Sequence, residues 1–198
     1  MNKIIFMQQS NNIRLIWDVL TKPLSFFKKF ADNPPDLRKF IVSYGAPLVV
    51  LAAAGRMTRI MQAFAFQDEP LRSDQLSGIF IISFVGYSLS VWLGALFIAR
   101  LSKAFQSESS QDKSMLLIIL AYTPFMLAQP LAAITPNMAP ILILGILYTV
   151  FLFGAGARPI LGTPGQKVVG FTLVGYFIVF SISHLSILLL SELFIFAR

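Results

Sequence analysis

Chemistry in a chain this apolar has to come from the few side chains that can hold a charge or a proton, and the apolar runs offer His184 and Glu192. One imidazole is enough to ligate a haem or chlorophyll metal. It is equally enough to hydrogen-bond a serine or a backbone carbonyl on a neighbouring helix. No other histidine exists to assist the first role, so helix bonding is the expected one and His184 is kept as the one candidate cofactor ligand. His184 and Glu192 are eight residues apart, about 12 Å along a helix, too far to act as a pair. Ser181, Ser183, Ser186 and Ser191 crowd the same segment, but with one histidine and no aspartate in the apolar runs they assemble no hydrolase triad. The absence of cysteine excludes disulfides, thiolate zinc, iron–sulfur clusters and thiol catalysis within this chain. No P-loop, HExxH or glycine-rich nucleotide motif is present. No catalytic residue, metal or cofactor is therefore expected, and the chain reads as a protein that is not an enzyme.

A second kind of chemistry belongs to the backbone. Ala121-Tyr122-Thr123-Pro124 is followed by Gln129-Pro130, and each proline removes a donor and frees a carbonyl one turn earlier. The helix carrying Tyr122, Pro124 and Pro130 should be kinked or broken. Freed carbonyls could coordinate an ion or line a path, or they could be satisfied by Thr123, Tyr122 or water and merely shape the protein. No charged group accompanies the break, which favours shape.

These groups sit on elements that composition defines. Of 198 residues, 56% are hydrophobic and 13% charged, and mean hydropathy is +0.74. Soluble domains carry roughly 45–50% apolar and about 25% charged residues. Apolar runs near 40–60, 76–99, 115–134, 139–157 and 168–196 are each long enough to cross about 30 Å of hydrocarbon as a helix. Open strands cannot satisfy their backbone in lipid, and the runs lack barrel alternation. An all-α membrane protein of about five transmembrane helices over residues 40–198 follows, with a 39-residue arm ahead of it. The first span is interrupted by Arg56 and Arg59, whose long side chains can snorkel; a re-entrant helix is the alternative there. Gly86, Ser90 and Gly94, and Gly145, Gly154 and Gly156, permit close helix contact.

The formal charge of +7 would suggest nucleic acid in a soluble protein, but here its position matters more than its sum. Twelve of the 16 Lys and Arg residues fall on the arm, the second-to-third connection and the fourth-to-fifth connection. Arg56, Arg59, Arg72 and Arg198 fall on the other side. The positive-inside rule then puts the N-terminus in the cytoplasm and the C-terminus outside, with no nucleic-acid partner. Met1 to Ser10 has only a short apolar patch and no small-residue cleavage site, so a cleavable signal is not expected.

Within the arm, Ile13, Ile16, Trp17, Leu20, Leu24, Phe27 and Phe30 share one helical face and Arg14, Asp18, Lys22, Lys28 and Lys29 the other, with Pro23 dividing two short helices near Lys22. Trp17, Lys22, Phe26, Phe27, Lys28 and Lys29 are the expected lipid interface; packing of the same face on the protein's own spans is the alternative. Asp32-Asn33-Pro34-Pro35-Asp36 is a turn.

In order, Trp17-Asp18-Val19-Leu20-Thr21-Lys22-Pro23 with Phe26-Phe27, Ala121-Tyr122-Thr123-Pro124, and Tyr148 to Phe151 with Gly154, Leu161-Gly162-Thr163-Pro164 and Lys167 resemble the Yip family, the Ypt/Rab-interacting membrane proteins and their bacterial relatives. The resemblance covers almost the whole chain. It implies a protein that is not an enzyme and acts through partners, in eukaryotes in vesicle traffic. The acidic-proline-leucine motif tied to small-GTPase interaction is missing from the N-terminal region, so Rab binding is not carried over. The short connections fit the bacterial branch. The expectation is a structural or adaptor subunit of a bacterial inner membrane, contacting lipid and either another membrane protein or further copies of itself. A small channel or transporter with a path at Tyr122, Pro124 and Pro130 is the alternative.

Overall fold

The computed structural model describes residues 12–65, 71–138 and 140–196. The expectations for Met1 to Ser10, Lys3 and Arg198 lie outside them. The arm forms α1 (Asn12–Thr21) and α2 (Pro23–Asp32). The change of helix falls at Lys22 because Pro23 can start a helix but cannot continue one. After the turn, Asp36 caps α3 (Leu37–Phe40), its carboxylate accepting from the Lys39 N–H at 2.9 Å. A π-turn over Ile41–Gly45 leads into α4 (Ala46–Ala65).

Helix continues through the π-helical segment from Leu37 to Ala65, 29 residues, or roughly 43 Å at about 1.5 Å per residue. That is long enough to cross about 30 Å of hydrocarbon as a single helix. The second span is α5 (Ser73–Ala104), the third is α6 (Gln111–Ala121) with α7 (Thr123–Ala132), the fourth is α8 (Pro140–Leu161) and the fifth is α9 (Val168–Phe196). Five helices among the described residues are long and apolar enough to cross a membrane, and no strand occurs among them.

The third span is the centre of the bundle. In its hydrophobic window 83% of residues are buried, against 22–44% in the other four. Its two halves have different neighbours: α6 packs between the second and fourth spans, α7 between the first and fourth. The interruption at Tyr122 is where the helix changes partners.

Lipid gives helices little hydrophobic reason to associate, so contact depends on close backbone approach at small residues. A Cβ on Gly55 would lie 2.4 Å from the Pro130 nitrogen, and one on Gly145 would lie 2.8 Å from the Ala128 Cβ. The second and fifth spans run antiparallel, with Gly86 against Ile187 and Gly94 against Val179. On the arm side, Gly162 takes φ +64 to end the fourth span. The Glu108 N–H donates to the Leu161 carbonyl at 2.7 Å, and Ser107 Oγ donates to Thr163 Oγ1 at 2.9 Å. These bonds tie the two arm-side connections together.

Gly55→Ala is expected to destabilise the bundle by about 1–3 kcal/mol, because backbone and not a yielding side chain stands in the way. Gly165→Ala, where nothing stands within 4 Å of the added atom, should be near neutral. Thermal unfolding of both variants in detergent checks the contrast.

Candidate functional site at the broken third span and its arm

Pro124 has no N–H for the carbonyl one turn earlier, and α6 stops at Ala121 before α7 begins at Thr123. Thr123 Oγ1 donates to the Ile119 carbonyl at 3.2 Å and lies 2.8 Å from the Tyr44 hydroxyl. Since the Thr123 proton is used on Ile119, Tyr44 is the donor in the second bond. Both side chains are buried, Thr123 completely. Pro130, by contrast, lies inside α7 without ending it, and the backbone at Gln129 and Pro130 is where Gly55 of the first span seats.

From Tyr44 a line of rings runs back to the arm. Tyr44 stacks on Phe40 with centroids 5.0 Å apart, Phe40 meets Phe30 edge-on at 5.6 Å, and Phe30 meets Phe26 at 5.4 Å. Phe27 is completely buried, and its ring is 3.0 Å from where a Cβ on Gly156 of the fourth span would lie. Two hydrogen bonds fasten α1. Pro47 cannot donate to the Ser43 carbonyl, and Asn12 Nδ2 donates to it at 2.6 Å. Pro23 ends α1, and the Tyr148 hydroxyl of the fourth span donates to the Leu20 carbonyl.

The apolar stripe of the arm is thus divided between two surroundings. Val19 and Phe27 are buried against the bundle and Phe26 is half-buried, whereas Ile13, Trp17 and Leu24 are 83%, 65% and 68% exposed. Lys22, Lys28 and Lys29 are exposed. Of the six residues expected at a lipid interface, Phe27 is the one whose surface faces only protein.

In the half of the bundle away from the arm, Arg56 and Arg59 are half-buried beside the Tyr87 hydroxyl of the second span. Each Nε is enclosed without a hydrogen-bond partner, as are the Tyr122 hydroxyl and Gln129 Oε1. Gln62 Nε2 donates to the Ala133 carbonyl at 2.7 Å and so closes the end of α7. His184 is exposed on the fifth span. Its Nδ1 is 2.9 Å from the Phe180 carbonyl of its own helix, and its ring lies 4.0 Å from that of Phe180. The bond expected to a neighbouring helix is made within the fifth span instead. Among the described residues no three His, Cys, Asp or Glu side chains gather as a metal site.

Tyr44, Asn12 and Tyr148 did not stand out in the sequence. Their partners lie 79, 31 and 128 residues away. Proline gives a signal for Asn12 alone, since Pro47 leaves the Ser43 carbonyl four residues earlier without a helical donor, whereas the carbonyls at Leu20 and Ile119 are not the ones four residues before Pro23 and Pro124.

Four apolar spans around a buried, proline-broken third, with an amphipathic arm seated on one side, make this an all-helical multi-pass membrane protein. The Yip1 domain model matches residues 17–187, and the chain belongs to the Yip1 family. That is not a known enzyme family. No curated protein and no solved structure matches the chain.

Tyr148→Phe should free the C-terminal end of α1 and raise amide hydrogen exchange there several-fold, leaving exchange in the spans unchanged. Tyr44→Phe should lower the stability of the whole bundle by roughly 0.5–1.5 kcal/mol. Hydrogen exchange with mass spectrometry and thermal unfolding measure the two.

Proposed function

We propose that this protein is a structural or adaptor subunit, not an enzyme, of a bacterial inner membrane, with its arm in the cytoplasm and its C-terminus outside. The observation that carries this is the enclosure of the break. Tyr44 and Thr123 supply their own hydroxyls to the opened turn, in a span that is buried on nearly all sides. What the protein offers to others is surface: the arm, with Trp17 and Leu24 outward among Lys22, Lys28 and Lys29, and the fifth span, where 22% of the hydrophobic window is buried. Such a surface suits lipid and a neighbouring membrane protein or a second copy. The cation asymmetry of the sequence supports the orientation.

A small channel or transporter is the second reading, favoured by the unpartnered Tyr122 hydroxyl and Gln129 Oε1 on the third span and the enclosed Nε atoms of Arg56 and Arg59. Unsatisfied polar atoms at membrane depth are what a water-lined path would need. The path would pass Tyr122, Pro124 and Pro130.

Gentle extraction from native membranes, affinity capture and mass spectrometry should recover one membrane complex reproducibly. A homo-oligomer free of partners, together with solute flux in proteoliposomes that falls in Pro124→Ala and Tyr122→Phe, would replace the adaptor reading with the channel. Flux that these substitutions leave unaltered counts against a path there. Orientation is checked separately, since the chain has no cysteine of its own. In intact cells a membrane-impermeant thiol reagent should label Ser73→Cys, at the start of the second span, and not Ser25→Cys on the arm.

A further inference from the structure

Between the arm and the fourth-to-fifth connection lies a cleft of about 710 Å³. One wall is α2, with Leu24 and Lys28; the other is the end of the fourth span and the start of the fifth, with Ala155, Arg158, Val168 and Val169. The volume is within the roughly 300–1,000 Å³ of small-molecule sites. Two cations from separate elements thus face one space, and no acidic residue lines it. The ion pairs among the described residues are Arg72–Asp74 and Lys113–Glu108, so neither Lys28 nor Arg158 is neutralised by a carboxylate there.

The apolar part of the lining is as informative as the charges. Leu24 and Val169 flank the cleft and are 68% and 70% exposed. A water-filled cationic rim for a soluble anion gives no reason for two large apolar side chains to stand open beside it. An amphiphile does: a phosphate needs the two cations, and an acyl chain needs the apolar flank. Arg158 also lies in the last turn of the fourth span, where the helix dipole favours a retained positive charge.

We infer that the cleft holds one anionic phospholipid of the arm-side leaflet, its phosphate between Lys28 and Arg158 and an acyl chain along Leu24, Val168 and Val169. The lipid bridges the arm to the bundle. This rests on the reading of the arm as an interfacial element and is independent of whether the bundle acts as adaptor or channel; lipid retention and partner recovery are separate readouts.

The test uses the full-length protein in detergent with equimolar dioleoyl phosphatidylglycerol and dioleoyl phosphatidylcholine, read by native mass spectrometry. One phosphatidylglycerol should be retained in clear preference. Lys28→Gln with Arg158→Gln should reduce that preference about thirtyfold, the scale expected for removing two membrane-facing cations. Arg14→Gln with Arg38→Gln, which removes two exposed arm-side cations that do not line the cleft, should leave it unchanged. Leu24→Ser should weaken retention while both cations remain. Equal loss in the two double variants would reduce the effect to general surface charge and overturn the site. Displacement of the lipid by millimolar glycerol 3-phosphate would overturn the lipid assignment in favour of a soluble phosphate. Monodisperse elution of each variant and an unchanged helical circular dichroism spectrum separate loss of binding from loss of fold.

Discussion

A backbone carbonyl that loses its helical donor inside a bilayer finds no water to replace it, and this governs how the bundle is built. Proline stands at the start of α2, in the first turn of α4 and at the break of the third span, and near each of them a side chain supplies a proton to a backbone carbonyl. Tyr148 serves Leu20 near Pro23, Asn12 serves Ser43 before Pro47, and Thr123, itself held by Tyr44, serves Ile119 before Pro124. Tyr148, Asn12 and, through Thr123, Tyr44 reach across elements, so these bonds tie arm to span and span to span. Helix breaks that would weaken an isolated segment here fix which segments are neighbours.

The third span shows the same logic at larger scale. A straight helix of its length would keep one set of neighbours from end to end. The interruption at Tyr122 lets α6 sit with the second and fourth spans and α7 with the first and fourth. Burial on almost every side follows, and close approach is secured by Gly55 and Gly145, where a larger residue would strike backbone or a neighbouring Cβ. The polar atoms left unmatched in the bundle, on Tyr122, Gln129, Arg56 and Arg59, come from the first and third spans, and the two arginines lie in the half away from the arm.

The arm joins the two faces of the molecule's surroundings. Its rings at Phe26, Phe30 and Phe40 lead inward to Tyr44 and the break, and Trp17 and Leu24 lead outward. A change in what the outward face touches therefore acts on an element in continuous contact with the centre of the bundle.

Hydropathy and the positions of proline were enough to establish from the residues alone that this is a helical membrane protein of five spans with an amphipathic arm, because both are local properties of a chain in a solvent without hydrogen bonds. The break near Tyr122 was legible for the same reason, and so was the change of helix at Lys22. The side chains that complete the site were not. Tyr44 and Tyr148 each sit in apolar runs that any aromatic would suit, and their roles depend on a hydroxyl 79 residues distant and a carbonyl 128 residues distant. The two faces of the arm share one stripe in the sequence, since periodicity records that Phe27 and Trp17 are apolar and not which of them meets protein. Only the packing of the arm against Gly156 and Tyr148 of the fourth span decided that division, because burial is set by where another element stands and the residue itself cannot encode it.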